Sequence, residues 1–370
     1  MLCFNGCFSL QTVPLFNTIK VTAMGNMFTS CSSLQSVPLF NTAEVPSMNS
    51  MFNGCIALRT VPLFNTVKVT SMNSMFNGCV SLQTVPLFNT AAVTGMTSMF
   101  SGCSSLQTVP LFNTAEVLNM GSTFQSCSSL KTVPLFNTVK VTNTGSMFNG
   151  CNVLQTVPLF NTAEVTNMGS MFNNCYVLQT VPLFNTLKVT VMTGMLQNCP
   201  SLIQVPELNL NAVSTNANNN LTITSAVSLG QIKLTGMRWT QSFNGCNMAA
   251  AQLDEMYTAL DNLAPSVTTV SGSGTVVTYT VNDITAFVAA RTVTITGVDP
   301  VAYNLTGVSV ASVNTGLSQF TVTNAASGAY VSGGTATLTN NKTITVTGNP
   351  GTTTDDPTIA TNKGWTVTGS

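Results

Sequence analysis

Histidine is absent from this 370-residue chain. That absence removes every Ser-His and Cys-His catalytic pair and every histidine metal site at once. Charge is scarce too, at 6% of residues against about 25% in an average soluble domain. The 11 basic and 11 acidic residues cancel. With no net charge and no Lys/Arg cluster, nucleic acid is not an expected partner. The same neutrality removes the repulsion that keeps molecules apart, which leaves self-association open. No run reaches the ~18 apolar residues of a membrane span, so none is predicted. Met1–Asn5 has neither a basic n-region nor an apolar h-region, so no signal peptide is predicted.

What is present is a repeat. Val-Pro-Leu-Phe-Asn-Thr begins at Val13 and recurs every 24 residues through Val181, with a degenerate copy at Val205. Leu10 and Cys7 recur in the same register, ending at Leu202 and Cys199. Spacing this strict marks each copy as one coil of a stacked solenoid. In the coil 34–57, Leu34, Val37 and Leu39 follow a leucine-rich-repeat spacing, which predicts a short strand near Gln35–Leu39. Pro38 interrupts it and removes one ladder donor. Asn41-Thr42 predicts a turn. Met48, Met51 and Phe52 stand at i, i+3 and i+4, one face of a helical turn, with Gly54 suited to its left-handed cap. A lone coil buries too little to fold, so neighbours are required.

Four columns follow from the register. Lys20, Glu44, Lys68, Ala92, Glu116, Lys140, Glu164 and Lys188 are equivalent, and every adjacent charged pair is opposite in sign. Strands ~4.8 Å apart would bring these charges together; duplication of a two-coil unit would also produce the alternation. The cysteine column, nine of the chain's 11, is expected to be buried and reduced, because stacked equivalents point the same way. The column of Phe16 has two placements. Strict alternation after Leu15 turns it outward as an apolar stripe; the turn at Asn17 rolls it back into the core, the placement favoured here. The outward column Thr12, Ser36, Thr60, Thr84, Thr108, Thr132, Thr156 and Thr180 is the candidate binding face.

Beyond Val213 the pattern dissolves into a polar connection at 216–220, and 221–240 is expected to form irregular terminal coils. Leu253, Met256, Tyr257, Leu260 and Leu263 predict a helix over 248–263, ended by Pro265 and suited to cover the solenoid's open edge. Alternating Thr/Val runs at Thr292–Thr296 and Phe320–Thr323 predict strands, with turns at 297–300 and 332–334. A strand is predicted over Thr343–Gly348. A short helix follows, N-capped by Asp356, with Pro357 first and Gly364 past its end. Trp365–Gly369 is the final strand. The expected organisation is a solenoid over 1–247, a capping helix over 248–266, a small β module over 267–338 and a closing strand-helix-strand element over 339–370. The β module is read as inserted; an independent C-terminal domain in serial order is the alternative.

Met147-Phe148-Asn149-Gly150-Cys151-Asn152-Val153-Leu154-Gln155-Thr156-Val157 resembles the BspA-like leucine-rich repeat of bacterial surface antigens. Val165-Thr166-Asn167-Met168 with Met171-Phe172 is similar to the short repeat of bacterial surface lipoproteins. The likeness covers roughly residues 3–214 and departs in its mid-strand proline and shorter coil. It implies adhesion and surface display without catalytic residues, and occurs in phage structural proteins as well. Arg291–Gly297 through Val331–Gly334 resembles short β modules of phage fibres.

The acid pairs Asp254-Glu255 and Asp355-Asp356 read as solvated or capping groups, since helix neighbours do not converge on a substrate. No phosphate loop is present, and no calcium-loop motif supports Asp283 or Asp299 as ligands. No enzymatic activity, cofactor or metal is therefore expected. The expected role is that of a phage virion surface protein in assembly and host attachment, with a bacterial cell-surface adhesin as the alternative. Its partners would be other virion proteins or itself, or a host surface protein or glycan, at the virion surface or outside the cell.

Overall fold

The computed structural model describes residues 4–213, 221, 223, 226–235, 241–243, 246, 248–258, 267–273, 276–281, 292–296, 305–323, 335–338, 342–345, 355–363 and 365–368. The chain divides into two units, between Ile232 and Lys233.

The first unit is a stack of 24-residue coils, a repeat protein resembling the leucine-rich-repeat fold. The coil 34–57 buries Leu34, Val37, Phe40, Val45, Met48, Met51, Phe52 and Cys55. Leu34, Val37 and Phe40 lie three apart, not two, so the segment is not a pleated strand. The strand expected at Gln35–Leu39 is replaced by one inter-coil bond per turn, such as Gln35 N–H to Gln11 O at 3.0 Å and Arg59 N–H to Gln35 O at 3.2 Å. Proline in every coil, lacking an N–H, prevents the ladder from running further.

The helical turn expected at Met48–Phe52 does not form among the described residues. Met48, Ser50, Phe52 and Gly54 donate their N–H groups to Ser71, Asn73, Met75 and Asn77 of the next coil, at 2.7–3.0 Å. The residues between close tight turns: Met51 to Met48, Asn53 to Ser50, and Cys55 to Phe52, at 3.0–3.2 Å. Turning the chain this way needs a left-handed residue at every fourth position. Ser50 has φ 54° and Gly54 has φ 74°, and the same two columns recur in later coils. Glycine suits the second column because its φ, 71° at Gly78, lies in the left-handed region that side chains with a Cβ rarely adopt. Parallel backbone pairing runs up this side from Ser47–Ser71 to Asn167–Val191.

Polar groups stitch the corners. Asn41 Oδ1 accepts from Ala43 N–H at 3.1 Å, forming the expected turn. The buried Thr42 hydroxyl donates to Asn65 O of the next coil at 2.7 Å, and this contact repeats as far as Thr186 to Asn209. The stack ends in a two-stranded sheet of β1 (Gln204–Asn209) and β2 (Gln231–Thr235). Leu221, Ile223, Ala226 and Leu229 are buried before it.

In the second unit, β3 (Gln241–Ser242) is followed by α1 (Ala250–Thr258), which buries Leu253, Met256 and Tyr257. Leu260, Leu263 and Pro265 of the predicted helix lie outside the described residues. A six-stranded sheet follows, built from β4 (Val267–Ser273), β5 (Val276–Val281), β6 (Thr292–Thr296), β7 (Leu305–Asn314), β8 (Gln319–Thr323) and β9 (Thr335–Leu338). Its order is β4-β5-β8-β7-β6-β9, antiparallel throughout. Tyr279 and Phe320 face each other across β5 and β8 with rings 5.3 Å apart. The turns expected at 297–300 and 332–334 lie outside the described residues.

The chain closes with β10 (Lys342–Thr345), α2 (Thr358–Thr361) and β11 (Trp365–Thr368). β10 pairs in parallel with both β11 and β3, so strands before and after the six-stranded sheet share one smaller sheet. Residues 241–242 thus join the second unit, ahead of the expected end of the solenoid at residue 247. Asp356 Oδ1 accepts from Thr358 N–H at 3.0 Å and so caps α2 one residue earlier than its formal start. Gly364, predicted past its end, is outside the described residues.

Candidate interaction face

The most informative local feature is the Val-Pro-Leu-Phe segment. Phe88 N–H bonds to Pro86 O at 2.9 Å, and Phe112 to Pro110, Phe160 to Pro158 and Phe184 to Pro182 do the same. A bond from i to i+2 is a γ-turn centred on the leucine. The leucine turns out and the following phenylalanine turns in, the placement favoured for the Phe16 column over strict alternation.

The phenylalanines therefore form a double ladder in the core. Phe28, Phe52, Phe76, Phe100, Phe124, Phe148 and Phe172 stack at 5.6–5.8 Å. The column of Phe16 packs beside them, as in Phe100–Phe112 at 6.1 Å, and is buried from Phe40 onward. Each such pair adds about 0.5–1.5 kcal/mol beyond its area.

The leucines form the surface counterpart. Leu15, Leu39, Leu63, Leu87, Leu111, Leu135, Leu159 and Leu183 are all exposed, Leu111 to 60%. Leu39 was expected inside the coil; it lies outside, as do Leu87, Leu111, Leu159 and Leu183 at the centres of these γ-turns. Beside this row stand exposed Ile19, Val67, Val139 and Leu187, with Ala43, Ala91, Ala115 and Ala163 filling the other positions of their column. Leu15, Leu39 and Ile19 line one shallow groove, and Ile19 and Lys20 line the next, so the row adjoins the charge column.

The charge column is paired along the stack. Lys68 reaches Glu44 at 2.6 Å, Lys140 reaches Glu116 at 2.7 Å and Lys188 reaches Glu164 at 2.7 Å. Each lysine bonds the glutamate of the preceding coil. All six side chains are about half exposed, so each pair contributes well under 1 kcal/mol. The Thr12 column, with Thr60, Thr84, Thr108, Thr132, Thr156 and Thr180, is exposed on the other side of the prolines. The structure thus brings threonine, leucine and charge columns together along one run of the coil.

The cysteines do more than fill space. Cys55 Sγ donates to Phe28 O of the preceding coil at 3.0 Å, and the contact recurs through Cys199 to Phe172 at 3.1 Å. Burial, reinforced by the neighbouring thiol, pushes Cys55 up to about 12 and raises Cys79 through Cys175 likewise. All described cysteines are free thiols, and only Cys7 is exposed. No group of three His, Cys, Asp or Glu that would hold a metal occurs among the described residues.

In the second unit Asp254 and the pair Asp355-Asp356 are brought together. The Tyr257 hydroxyl donates to Asp355 at 2.8 Å, and Asp254 accepts from Asp356 N–H at 2.7 Å. Burial and the carboxylate of Asp355 raise the Tyr257 phenol well above its usual value. These contacts join α1 to the residues leading into α2 across the long intervening sequence. No helix among the described residues is long and apolar enough to cross a membrane.

Geometry and chemistry define a repeat solenoid with an extended apolar face. The family model described as "Mycoplasma protein of unknown function, DUF285" matches residues 2–109, 59–134 and 118–231, together more than half of the chain. The chain belongs to this family. A solved leucine-rich repeat protein from Bacteroides ovatus is similar at 17% identity, covering 65% of this chain and 79% of that one, with a TM-score of 0.30. No curated protein matches the sequence.

Proposed function

We propose that this chain is a non-enzymatic surface protein whose solenoid acts in assembly and attachment. The observation that carries the reading is the row of exposed leucines from Leu15 to Leu183. Isolated apolar side chains on a surface are ordinary, but a contiguous apolar stripe marks an interface. A face repeated coil by coil suits a large, extended partner rather than a small molecule. The low charge of the chain works in the same direction, since few charges need desolvating on contact.

The proposed setting is a virion surface, supported by the likeness of residues 291–334 to fibre modules. The second reading is a bacterial cell surface, favoured by a family described from mycoplasma. Mass spectrometry of purified particles and protease shaving of intact cells separate them. Chain in the particles supports the first reading and chain released by shaving supports the second. Chain confined to the cell interior overturns both. Leu63→Ser, Leu87→Ser and Leu111→Ser together are expected to abolish attachment or incorporation while the coils stay folded.

A further inference from the structure

We propose that the leucine row docks on the same row of a second copy, the two stacks running antiparallel about a two-fold axis at the coil of Ala92. The proposal rests on the interface reading above and names its partner. A separate observation carries it, the order of residues in the charge column.

A two-fold axis lying in the face and across the stack sets every column against its own copy in reversed order. With the axis at Ala92, Lys20 meets Glu164 of the second copy, Glu44 meets Lys140, and Lys68 meets Glu116. By symmetry six contacts form, all opposite in sign. Ala92, the one uncharged member from Lys20 to Lys188, meets itself, where a charge would meet a like charge. Moving the axis half a coil toward the C-terminus sets Lys20 against Lys188, Glu44 against Glu164 and Lys68 against Lys140. Moving it a whole coil sets Glu116 against itself; a whole coil the other way does the same to Lys68. The Ala92 register avoids every one of these repulsions.

The adjoining column agrees in shape. In the same register Ile19 meets Ala163, Val67 meets Ala115, Val139 meets Ala43, and Ala91 meets itself, so each large side chain faces a small one. Grooves join Leu15 to Ile19 and Ile19 to Lys20, so leucines, shape and charges share one surface. Seven coils at ~4.8 Å make a stripe on the order of 30 Å long, similar to the side of a patch of about 800 Å² per partner in a standard interface. The ion pairs within each stack leave their side chains about half exposed and available across the interface. Alternation along one stack has no use for an alanine at position 92; a two-fold axis does.

The test is light scattering and sedimentation of the full 370-residue chain over a wide concentration range. A discrete dimer is expected. Leu87→Asp, at an exposed position on the axis, should give a monomer with unchanged thermal melting. Lys68→Glu alone should weaken the dimer about tenfold. Lys68→Glu with Glu116→Lys should restore it. That double reversal leaves both positions beside like charges within their own stack, so only pairing between copies explains recovery. A monomer at all concentrations overturns the inference while leaving attachment to a foreign partner standing. Open-ended growth, a dimer indifferent to Leu87→Asp, or no recovery in the double reversal also overturns it. Loss of attachment in the leucine variants without any dimer would separate the two readings.

Discussion

Leu111 and Phe112 are sequence neighbours, both apolar and both repeated in every coil, yet replacing them should have opposite consequences. Phe112 is 3% exposed and packs between Phe88 and Phe100, with ring centroids at 6.5 and 6.1 Å. Phe112→Ala removes the transfer free energy of a whole ring and leaves a cavity between close-stacked coils that have little room to collapse. The expected cost is about 3–5 kcal/mol. Leu111 is 60% exposed, so Leu111→Ala is expected to change stability by only about 0.5 kcal/mol or less. The assay is urea unfolding followed by far-ultraviolet circular dichroism, at concentrations dilute enough to keep the chain monomeric. Stacked coils unfold with limited cooperativity, so midpoints are compared between variants rather than extrapolated. A strand with strict alternation requires the reverse, a large loss at Leu111 and a small one at Phe112. Equal losses, or the larger loss at Leu111, would refute the γ-turn account and the exposed leucine row with it.

Thiol reagents should modify Cys7 quickly in the native protein while Cys55, Cys79, Cys103, Cys127, Cys151, Cys175 and Cys199 react only on unfolding; mass spectrometry of labelled peptides reads this directly. Burial raises the thiols from Cys55 to Cys199 above their ordinary value of 9.0, with Cys55 and Cys199 near 12. They are protonated longer in the fold, so their contribution is complete below pH ~9 and is lost as pH rises toward ~12, which alkaline titration of the unfolding midpoint will show. Thr114→Val deletes the buried hydroxyl that donates to Asn137 O at 2.8 Å and should cost about 1–3 kcal/mol by the same urea assay. Ser98 sits at φ 56°, so Ser98→Gly should stabilise the chain by roughly 0.5–1 kcal/mol and Ser98→Ala should not.

Much of the solenoid was legible in the order of residues. The 24-residue period, the burial of Leu34, Val37, Met48, Met51, Phe52 and Cys55, and the pairing of Lys68 with Glu44 all follow from spacing alone. Two local readings failed for identifiable reasons. Met48, Met51 and Phe52 stand at the spacing of a helix face, but overlapping tight turns bury the same positions. What separates them is where the N–H groups go, and those of Ser50 and Phe52 go to the next coil. Leu39 fits the leucine-rich-repeat template, but it lies outside and Phe40 inside, the exchange that a γ-turn makes in the equivalent segments after Pro86, Pro110, Pro158 and Pro182. The signal was the three-residue spacing of Leu34, Val37 and Phe40 together with a proline inside a supposed strand. The threonine and charge columns lay in plain view, while the leucine row between them did not.

Period and register are properties of the chain itself. They need no neighbour to be read, because identical segments stacked in order bring identical positions together. The direction of each side chain is different in kind. It depends on which backbone donors the adjacent coil can satisfy, and Pro38, with no donor to offer, hands that choice to the hydrogen bonds around it. Only with the coils in contact do the phenylalanines close into a core and the leucines come to the surface.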